Sequence, residues 1–234
     1  MSKEEQEDIG FFESTRKYFL STLKDPSIIK STVDLVAPIK VERALDIGCG
    51  VGHALFPLAV SKKAFGAAVD TSEAGLRIGR DFYKTHLSDA RVAFIRARAE
   101  SLPFATNSFD VINCSLALPY MDNARVFSEV ARLLRPGGLF FLRIHHARYY
   151  LQQMREGVKT RDVIPMFHGS RVLVAGTIYH LIRRQPLMWP MNESYQTRWL
   201  LSRELAKHNL VIDREHTVTN PRTPAFVIHK KTEN

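Results

Sequence analysis

Hydrophobic positions along the chain follow two periods in turn, one typical of buried strands and one typical of amphipathic helices. Short apolar runs predict seven strands, at residues 42–47, 65–70, 91–96, 109–115, 139–144, 210–218 and 224–230. Helical spacing predicts helices at 10–23, 27–37, 53–62 and 198–208, and two more that run from caps at Ser72 to Tyr83 and at Asp122 to Leu134. The alternation of strands and helices predicts an α/β fold with a parallel sheet.

Proline and glycine residues mark the ends of these elements. Asp25-Pro26 separates the first two helices, and Pro57 fits the third only in its first turn, where a backbone N–H has no intrahelical partner. Pro136-Gly137-Gly138 is expected to end a helix and open the fifth strand. The regular pattern lapses over 145–196, where the stretch from Leu173 to Ile182 has helical spacing, and we interpret this region as an insertion before the last helix.

The composition is that of a folded globular protein that needs neither a metal ion nor a disulfide for stability. Of its 234 residues, 45% are hydrophobic and 24% are charged. The two cysteines, Cys49 and Cys114, belong to no ligand-like cluster, so we expect no metal site. The acidic N-terminus is unlike an export signal and no apolar run approaches 18 residues. These features favour a cytoplasmic protein without a transmembrane segment.

The positive charge is concentrated in the C-terminal part of the chain. Residues 1–142 hold 18 Lys and Arg against 17 Asp and Glu, whereas residues 143–234 hold 15 against 7. Solvated basic residues that aid solubility would account for this excess. The alternative is that the C-terminal part binds something anionic, either an acceptor molecule or a surface.

A glycine-rich turn follows the first predicted strand. Gly48, Gly50 and Gly52 alternate with other residues, so a ligand could approach the backbone N–H groups near a helix N-terminus. The spacing does not fit the GxGxxG pattern of dinucleotide-binding proteins, because His53 stands where the last glycine would be. Asp46 precedes the turn and would repel a pyrophosphate, so the motif favours a ligand with an ammonium or sulfonium group.

A second carboxylate, Asp70, ends the second predicted strand, 18 residues after Gly52. A carboxylate at that position can accept hydrogen bonds from both hydroxyls of a ribose. The alternative is that Asp70 caps the helix that begins beside Thr71 and Ser72. The glycine turn that precedes it favours ribose binding.

Four segments in order resemble the class I S-adenosylmethionine-dependent methyltransferases, in particular the branch that includes quinone-biosynthesis and sugar O-methyltransferases. The segments are LDIGCGVGH at 45–53, AVDTSE at 68–73, AESLPFATNSFDVI at 99–112 and EVARLLRPGGLFFLRI at 129–144. The resemblance covers residues 41–145. It implies S-adenosylmethionine as the cofactor and a Rossmann-like, seven-stranded, mostly parallel sheet with helices on both faces, to which this chain adds a helical insertion after the fifth strand.

The resemblance also implies a role for individual residues. The turn of Gly48, Cys49, Gly50 and Gly52 would face the methionine part of the cofactor, with Asp46 beneath it. Asp70 would hold the ribose and Thr71 would flank the adenine. Ala99 and Glu100 would lie beside the adenine, and Asn113 and Ser115 would edge the methionine. Arg98 departs from this branch, where an aspartate often accepts from the adenine amino group, because arginine has no acceptor.

These expectations divide the chain into four regions. Residues 1–40 are expected to form an N-terminal helical lid, 41–144 the cofactor-binding core, and 145–196 a cap that binds the methyl acceptor. Residues 197–234 would complete the core sheet with a helix and two strands. The cap is rich in aromatic, Met and Arg side chains, which favours a pocket for an organic, anionic acceptor.

Methyl transfer to a hydroxyl benefits from a general base. His145 and His146 follow the fifth strand, at the edge of the sheet where an acceptor is expected, and they are the candidate catalytic residues. Either could instead cap a turn or pack as a neutral core residue. His168 is a weaker candidate, and Tyr120 could orient an acceptor or simply line the pocket.

We predict an O- or N-methyltransferase acting on a small molecule, and three alternatives stay open. An RNA methyltransferase would suit the basic charge, but the sequence shows no RNA-binding module. A cofactor-binding partner of another enzyme would need no catalytic base. Peripheral contact of residues 171–189 with anionic lipid would accompany a lipid-like acceptor. The sequence does not determine the oligomeric state.

Overall fold

The computed structural model describes residues 3–37, 39–186, 193–216 and 221–231. A single sheet contains seven strands in the order β3-β2-β1-β4-β5-β7-β6. The strands are β1 Arg43–Ile47, β2 Phe65–Asp70, β3 Val92–Arg96, β4 Phe109–Ser115, β5 Leu134–Arg143, β6 Leu210–His216 and β7 Ala225–Lys230. Strands β1 to β5 pair in parallel, and β7 is antiparallel to both neighbours. This sheet confirms the predicted fold class.

Helices cover both faces of the sheet. They are α1 Lys3–Thr22, α2 Pro26–Leu35, α3 Phe56–Ser61, α4 Glu73–His86, α5 Asn123–Leu133, α6 Ala147–Thr160, α7 Val163–Ile182 and α8 Arg198–Ala206. Because successive side chains of a strand point to opposite faces, β1 contributes to two clusters. Leu45 and Ile47 pack with buried residues of α5 and α8, whereas Ala44 packs with α3 and α4.

Most of the predicted boundaries are close to the observed ones. Pro57 lies in the first turn of α3, as its missing N–H requires. The side chains of Ser72 and Asp122 cap α4 and α5, and Asp25 caps α2. The first helix begins at Lys3 rather than at residue 10, because polar residues with good helix propensity extend it. Residues 217 and 218 of the predicted sixth strand lie outside the described residues.

The fifth strand begins earlier than its hydrophobic run suggests. Phe109 pairs with Leu134 and Val111 with Leu139, so Pro136-Gly137-Gly138 forms a bulge inside β5 instead of a separate turn. Gly137 has a φ of +77°, which favours glycine. A Cβ at Gly138 would come within 2.9 Å of the Asp110 carbonyl oxygen. The three residues interrupt the strand for these steric reasons and do not end it.

The insertion contains a helical hairpin made of α6 and α7. Arg161 ends α6 in the left-handed region with a φ of 56°, and the side chain of Asp162 caps α7 by accepting from Ile164 N. This confirms the predicted helix at Leu173–Ile182 and adds α6 before it. Among the residues that the structure describes, no helix is long and apolar enough to cross a membrane.

Candidate active site

The glycine turn follows β1 at the carboxyl edge of the sheet. Gly48, Gly50 and Gly52 have φ values of +69°, +53° and +80°, which other residues rarely adopt. A Cβ at Gly48 would clash with the side chain of Ala117, so this close approach also requires glycine. The amides of Gly48 and Cys49 both donate to Val69 O, at 2.8 and 3.0 Å. The turn is therefore tied to β2 and keeps its backbone free of side chains.

Asp46 is a buried carboxyl group beneath this turn, with an exposed fraction of 2%. Asn113 Nδ2 donates to its Oδ1 at 2.6 Å, which brings together two residues that the resemblance implied for the cofactor site. Burial raises the pKa of Asp46 to about 7, although the Asn113 hydrogen bond opposes the rise and the nearby Asp70 adds to it. A cation in contact with Asp46 would favour its ionised form.

Asp70 orders the turn from the end of β2. Its Oδ2 accepts from Gly50 N at 2.8 Å and its Oδ1 accepts from Ser72 N at 2.9 Å. The helix cap itself is the Ser72 side chain, which accepts from Gly75 N at 3.3 Å. Each carboxylate oxygen has a further lone pair with which it could accept a ribose hydroxyl. Thr71 is exposed beside it, and its carbonyl accepts from Arg96 Nε at 3.1 Å.

The expected adenine side shows how the chain accommodates Arg98. Ala99 is buried, and Glu100 Oε1 accepts from Asp122 N at 3.2 Å at the start of α5. The Arg98 guanidinium pairs with the same Glu100 oxygen at 3.4 Å, and the arginine side chain is largely exposed. Both donors contact Oε1, so Glu100 keeps its Oε2 as an acceptor in the place of the aspartate that Arg98 replaces.

The two cysteines near the turn are buried thiols. Burial raises the pKa of Cys49, and it raises the pKa of Cys114 to about 12. Both thiols therefore stay protonated at neutral pH and serve as packing groups. Ser115 ends β4 beside them and is half-buried.

His145 lies immediately after β5, in a buried aromatic setting. Its exposed fraction is 9%, and its ring stacks on Tyr149 with centroids 4.3 Å apart. The buried Nδ1 has no hydrogen-bond partner. Burial, with a contribution from His168, lowers the pKa of His145 to about 4, so the imidazole is neutral at physiological pH. The neutral imidazole has one ring nitrogen without a proton, and the lowered pKa makes that nitrogen a weak base in this buried position.

The neighbouring His146 has a structural role at the start of α6. Its Nδ1 accepts from Arg148 N at 3.3 Å, and the residue is the N-cap of the helix. This hydrogen bond engages the nitrogen lone pair that a general base would use. The geometry therefore favours His145 over His146 within the predicted pair.

Glu193, which the sequence analysis did not single out, is a buried carboxylate that contacts several polar residues of the insertion. Glu193 accepts from the Tyr150 hydroxyl at 2.9 Å and from Arg171 at 3.4 Å, and it lies 3.5 Å from His168 Nε2. Burial and the nearby Glu193 carboxylate raise the pKa of the Tyr120 hydroxyl. The only signal in the sequence was an isolated acid in a basic region, because its partners come from distant segments.

The glycine turn and this Glu193 cluster are connected through the segment after β4. Ala117 packs against Gly48, and the 3₁₀ helix Leu118–Tyr120 ends at the tyrosine whose pKa is raised by burial and by Glu193. Gln185, just after α7, donates to Met121 O at 2.8 Å and accepts from Asn123 N at 2.9 Å. The inserted hairpin is thereby attached to the same edge of the sheet that carries the glycine turn.

The geometry of the turn suits a cationic nucleoside. Three of its residues are glycines that carry no side chain, its buried Asp46 would be ionised by a nearby positive charge, and Asp70 retains acceptor capacity for a sugar. Gly48, Cys49, Gly50 and Gly52 would contact the methionine part of S-adenosylmethionine. The adenine would be held by Oε2 of Glu100 or by the backbone, since only Oε1 of Glu100 is engaged within the protein.

Comparisons with known proteins agree with this geometry. A family model described as a methyltransferase domain matches residues 45–142. An O-methyltransferase from Aspergillus nomiae, rstn1, is 24% identical over 68% of this chain and 68% of its own length. A demethylmenaquinone methyltransferase from Clavibacter sepedonicus is 38% identical over 46% of this chain. That match spans 43% of the Clavibacter protein, so the chain covers less than half of that relative.

Solved structures share the fold over most of the chain. Geranyl diphosphate methyltransferase in complex with S-adenosylmethionine superposes with a TM-score of 0.62 at 13% identity, over 92% of this chain and 90% of that one. The YcgJ protein from Bacillus subtilis superposes with a TM-score of 0.60 at 17% identity, over 88% of this chain and 99% of that one. Residues 45–142 thus match a methyltransferase domain, and the relatives and the shared fold support a class I S-adenosylmethionine-dependent methyltransferase with S-adenosylmethionine as its cofactor.

Proposed function

We propose that the protein transfers a methyl group from S-adenosylmethionine to an oxygen or nitrogen atom of a small organic acceptor. The observation that carries this proposal is the position of His145, a buried neutral imidazole with an unpaired Nδ1 at the end of β5. Two strands away, the glycine turn follows β1 at the same edge of the sheet. The active site would lie between these two features, at the carboxyl ends of the parallel strands.

Residues of the core would position the methyl donor. S-adenosylmethionine supplies a methyl group on a positively charged sulfur, which already contains the driving force for transfer. Asp46 favours the positive charge, and its hydrogen bond from Asn113 fixes the carboxyl group in place. Asp70 holds the turn through Gly50 N and accepts from the sugar. Because the protein provides mainly orientation and exclusion of water, the rigidity of these contacts matters more than any covalent chemistry.

Residues after β5 would act on the acceptor. A hydroxyl or protonated amine has to lose a proton for attack, and His145 Nδ1 would accept it. Stacking on Tyr149 holds the imidazole plane, while burial keeps the ring neutral. His168 and Arg171 are both engaged with Glu193, so they shape the pocket and leave His145 as the available base.

The positive charge of the insertion gives less support for an anionic acceptor than the count of basic residues suggested. Arg171, on the inner side of α7, is paired with Glu193, and this pair adds no net charge to the pocket. We therefore propose an acceptor whose reactive group is a hydroxyl or an amine, carried on an apolar skeleton that suits Tyr149 and Tyr150.

Labelled S-adenosylmethionine and a panel of phenols, alcohols, amines and carboxylic acids test this function. Once an acceptor is found, we expect His145→Gln to lower kcat by about 10²- to 10⁴-fold for a hydroxyl, with cofactor affinity unchanged. His146→Asn is the matched control, because asparagine preserves the helix cap and offers no base. Equal rates for His145→Gln and the wild type would refute the catalytic role. Cofactor binding without methylation of any acceptor would instead indicate a non-catalytic protein.

A further inference from the structure

The outer face of α7 is an exposed apolar surface. Ile164, Phe167 and Leu181 have exposed fractions of 74%, 70% and 75%, and Val163, Val174 and Ile182 are exposed as well. The opposite side of the helix is buried against the protein at Gly169, Val172, Gly176 and Tyr179. The helix therefore has a packed inner face and a large apolar outer face, which we call the α7 outer face.

The outer residues form one continuous stripe. Val163, Phe167, Val174 and Leu181 are separated by four, seven and seven positions, which places them on one side of a helix with 3.6 residues per turn. Thr177 is also exposed and carries a methyl group on the same side. Along the 20 residues of α7 the stripe extends for about 30 Å. Exposed apolar surfaces of this extent on globular proteins mark sites of interaction.

Arginines stand at both ends of this stripe. Arg161 precedes α7, and Arg183 and Arg184 follow it, and all three are exposed. The 20 residues of the helix contain no Asp, Glu or Lys. Residues 143–196 hold eight Lys and Arg against three Asp and Glu, and one of those three acids is the buried Glu193. The insertion as a whole is therefore positive, and at α7 the excess lies with Arg183 and Arg184, because Asp162 stands beside Arg161.

We propose that the α7 outer face docks on an anionic lipid bilayer surface, with the helix lying in the plane of the interface. Its apolar side chains would enter the boundary of the acyl chains, and the terminal arginines would contact lipid phosphates. A second copy of the chain fits less well, because antiparallel pairing of two α7 helices would bring Arg161 close to Arg183 and Arg184 of the partner. α7 is long enough to cross a bilayer, but it is not apolar enough to count as a membrane span.

Docking would leave the proposed active site intact. His168 and Arg171 reach Glu193 from the inner side of the same helix, so lipid contact on the outer side does not displace them. This inference does not rest on the proposed function, since a bilayer could be bound by a protein that lacks any methyl transfer.

Co-sedimentation of the full chain with vesicles tests the proposal. We expect binding to vesicles of equal parts phosphatidylcholine and phosphatidylglycerol, weaker binding at high salt, and little binding to phosphatidylcholine alone. Phe167→Ser with Leu181→Ser should lower the vesicle partition coefficient at least about tenfold, and so should Arg183→Glu with Arg184→Glu. These side chains are exposed, so the variants should keep the wild-type circular dichroism and cofactor affinity.

Two matched controls separate docking at α7 from general adhesion. Val60→Ser removes an exposed apolar side chain elsewhere, and Lys84→Glu with Arg91→Glu makes the same charge change away from the insertion. Both should bind vesicles almost as well as the wild type. The proposal is overturned if phosphatidylglycerol vesicles leave the protein in the supernatant, or if the controls lose as much binding as the α7 variants. A dimer in solution that Phe167→Ser dissociates would also overturn it.

Discussion

At the residue scale, Asp46 is the most informative side chain of the cofactor site. It is a buried acid that accepts a hydrogen bond from the neutral amide of Asn113, and no cation among the described residues offsets the charge of its ionised form. Such an arrangement is costly unless a ligand supplies the charge. A cationic cofactor does so, and the same carboxyl group therefore links cofactor binding to pH.

The raised pKa of Asp46 gives a pH dependence with a defined sign. The pKa is about 7 in the folded protein against an ordinary value of 3.8, so between these values the folded state holds a proton that the unfolded state has lost. The contribution of Asp46 to the free energy of unfolding therefore falls as pH rises from about 4 to 7, and levels off above that. Chemical denaturation of the wild type and of Asp46→Asn across this window measures the difference.

Cofactor affinity should follow the ionised fraction of Asp46. Below pH 7 we expect the Kd for S-adenosylmethionine to rise by up to about tenfold per pH unit, because binding then has to release a proton. Calorimetry in buffers of different ionisation enthalpy detects that proton directly. Asp46→Asn should bind more weakly and without proton release. A wild-type affinity that stays constant from pH 5 to about 7 would contradict this account.

Asp70→Ala should weaken cofactor binding by roughly a hundredfold or more. The substitution removes the charged group that accepts from Gly50 N and, in our proposal, from the sugar hydroxyls. Isothermal titration calorimetry gives the Kd. Asp89→Asn removes an exposed acid from a loop and serves as the control. If Asp70→Ala bound as tightly as that control, Asp70 would have no role in the cofactor site.

The two sides of the site were not equally predictable from the sequence. The cofactor side is encoded locally, because three glycines and two strand-end acids lie within a stretch of 25 residues. The acceptor side depends on contacts between distant segments. Glu193 meets Tyr150 from 43 positions away, and no local pattern specifies such a pair. The bond between His146 and Arg148 was also hidden, because a histidine cap resembles a histidine base in sequence.

At the element scale, α1 packs across the glycine turn and α4. Phe19 is fully buried, stacking on Phe82 with centroids 4.3 Å apart and contacting Phe56. Nearer the start of the same helix, Phe12 lies over the turn. A Cβ at Gly50 would be 3.2 Å from the Phe12 ring. The helix packs over the glycine turn, and the N-terminal lid stays a prediction beside the alternative of plain packing.

Phe19→Ala should lower the free energy of unfolding by about 3–5 kcal/mol, because it leaves a cavity between α1 and α4. Phe11→Ala is the matched control, since Phe11 lies on the same helix but is exposed and should change stability by no more than about 0.5 kcal/mol. Denaturant titration measures both. Similar losses for the two variants would mean that α1 is not anchored through Phe19.

The strands and helices of the core follow from the sequence because burial and periodicity agree there. β1 and β2 are short apolar runs, and four of the five residues of β1 are buried. The start of β5 was misplaced because Pro136-Gly137-Gly138 is typical of turns, whereas the backbone resumes pairing after a bulge. The sequence predicted only part of the inserted helices. Because α7 is apolar on both its buried and its exposed side, its hydrophobic pattern lacks a clear helical period.

At the scale of the whole molecule, the protein joins a cofactor-binding sheet to an inserted helical hairpin. Gln185 of the insertion connects the two parts. Its side-chain amide donates to Met121 O and accepts from Asn123 N, both on the core side. Asn123 is also within 3.5 Å of the Tyr179 hydroxyl on α7. Because Met121 packs near Gly48, this joint lies next to the cofactor turn and sets the position of the hairpin relative to it.

Gln185→Ala should therefore loosen the hairpin without disturbing the cofactor. Losing two hydrogen bonds should lower the free energy of unfolding by about 1–3 kcal/mol. The acceptor KM should rise severalfold, because an acceptor would then have to order the hairpin as it binds, while the Kd for S-adenosylmethionine stays unchanged. Gln152→Ala, on α6, is the control. An equal rise in cofactor Kd and acceptor KM would show that the hairpin and the turn form a single unit, in which case the cofactor and acceptor sites could not be separated by mutation.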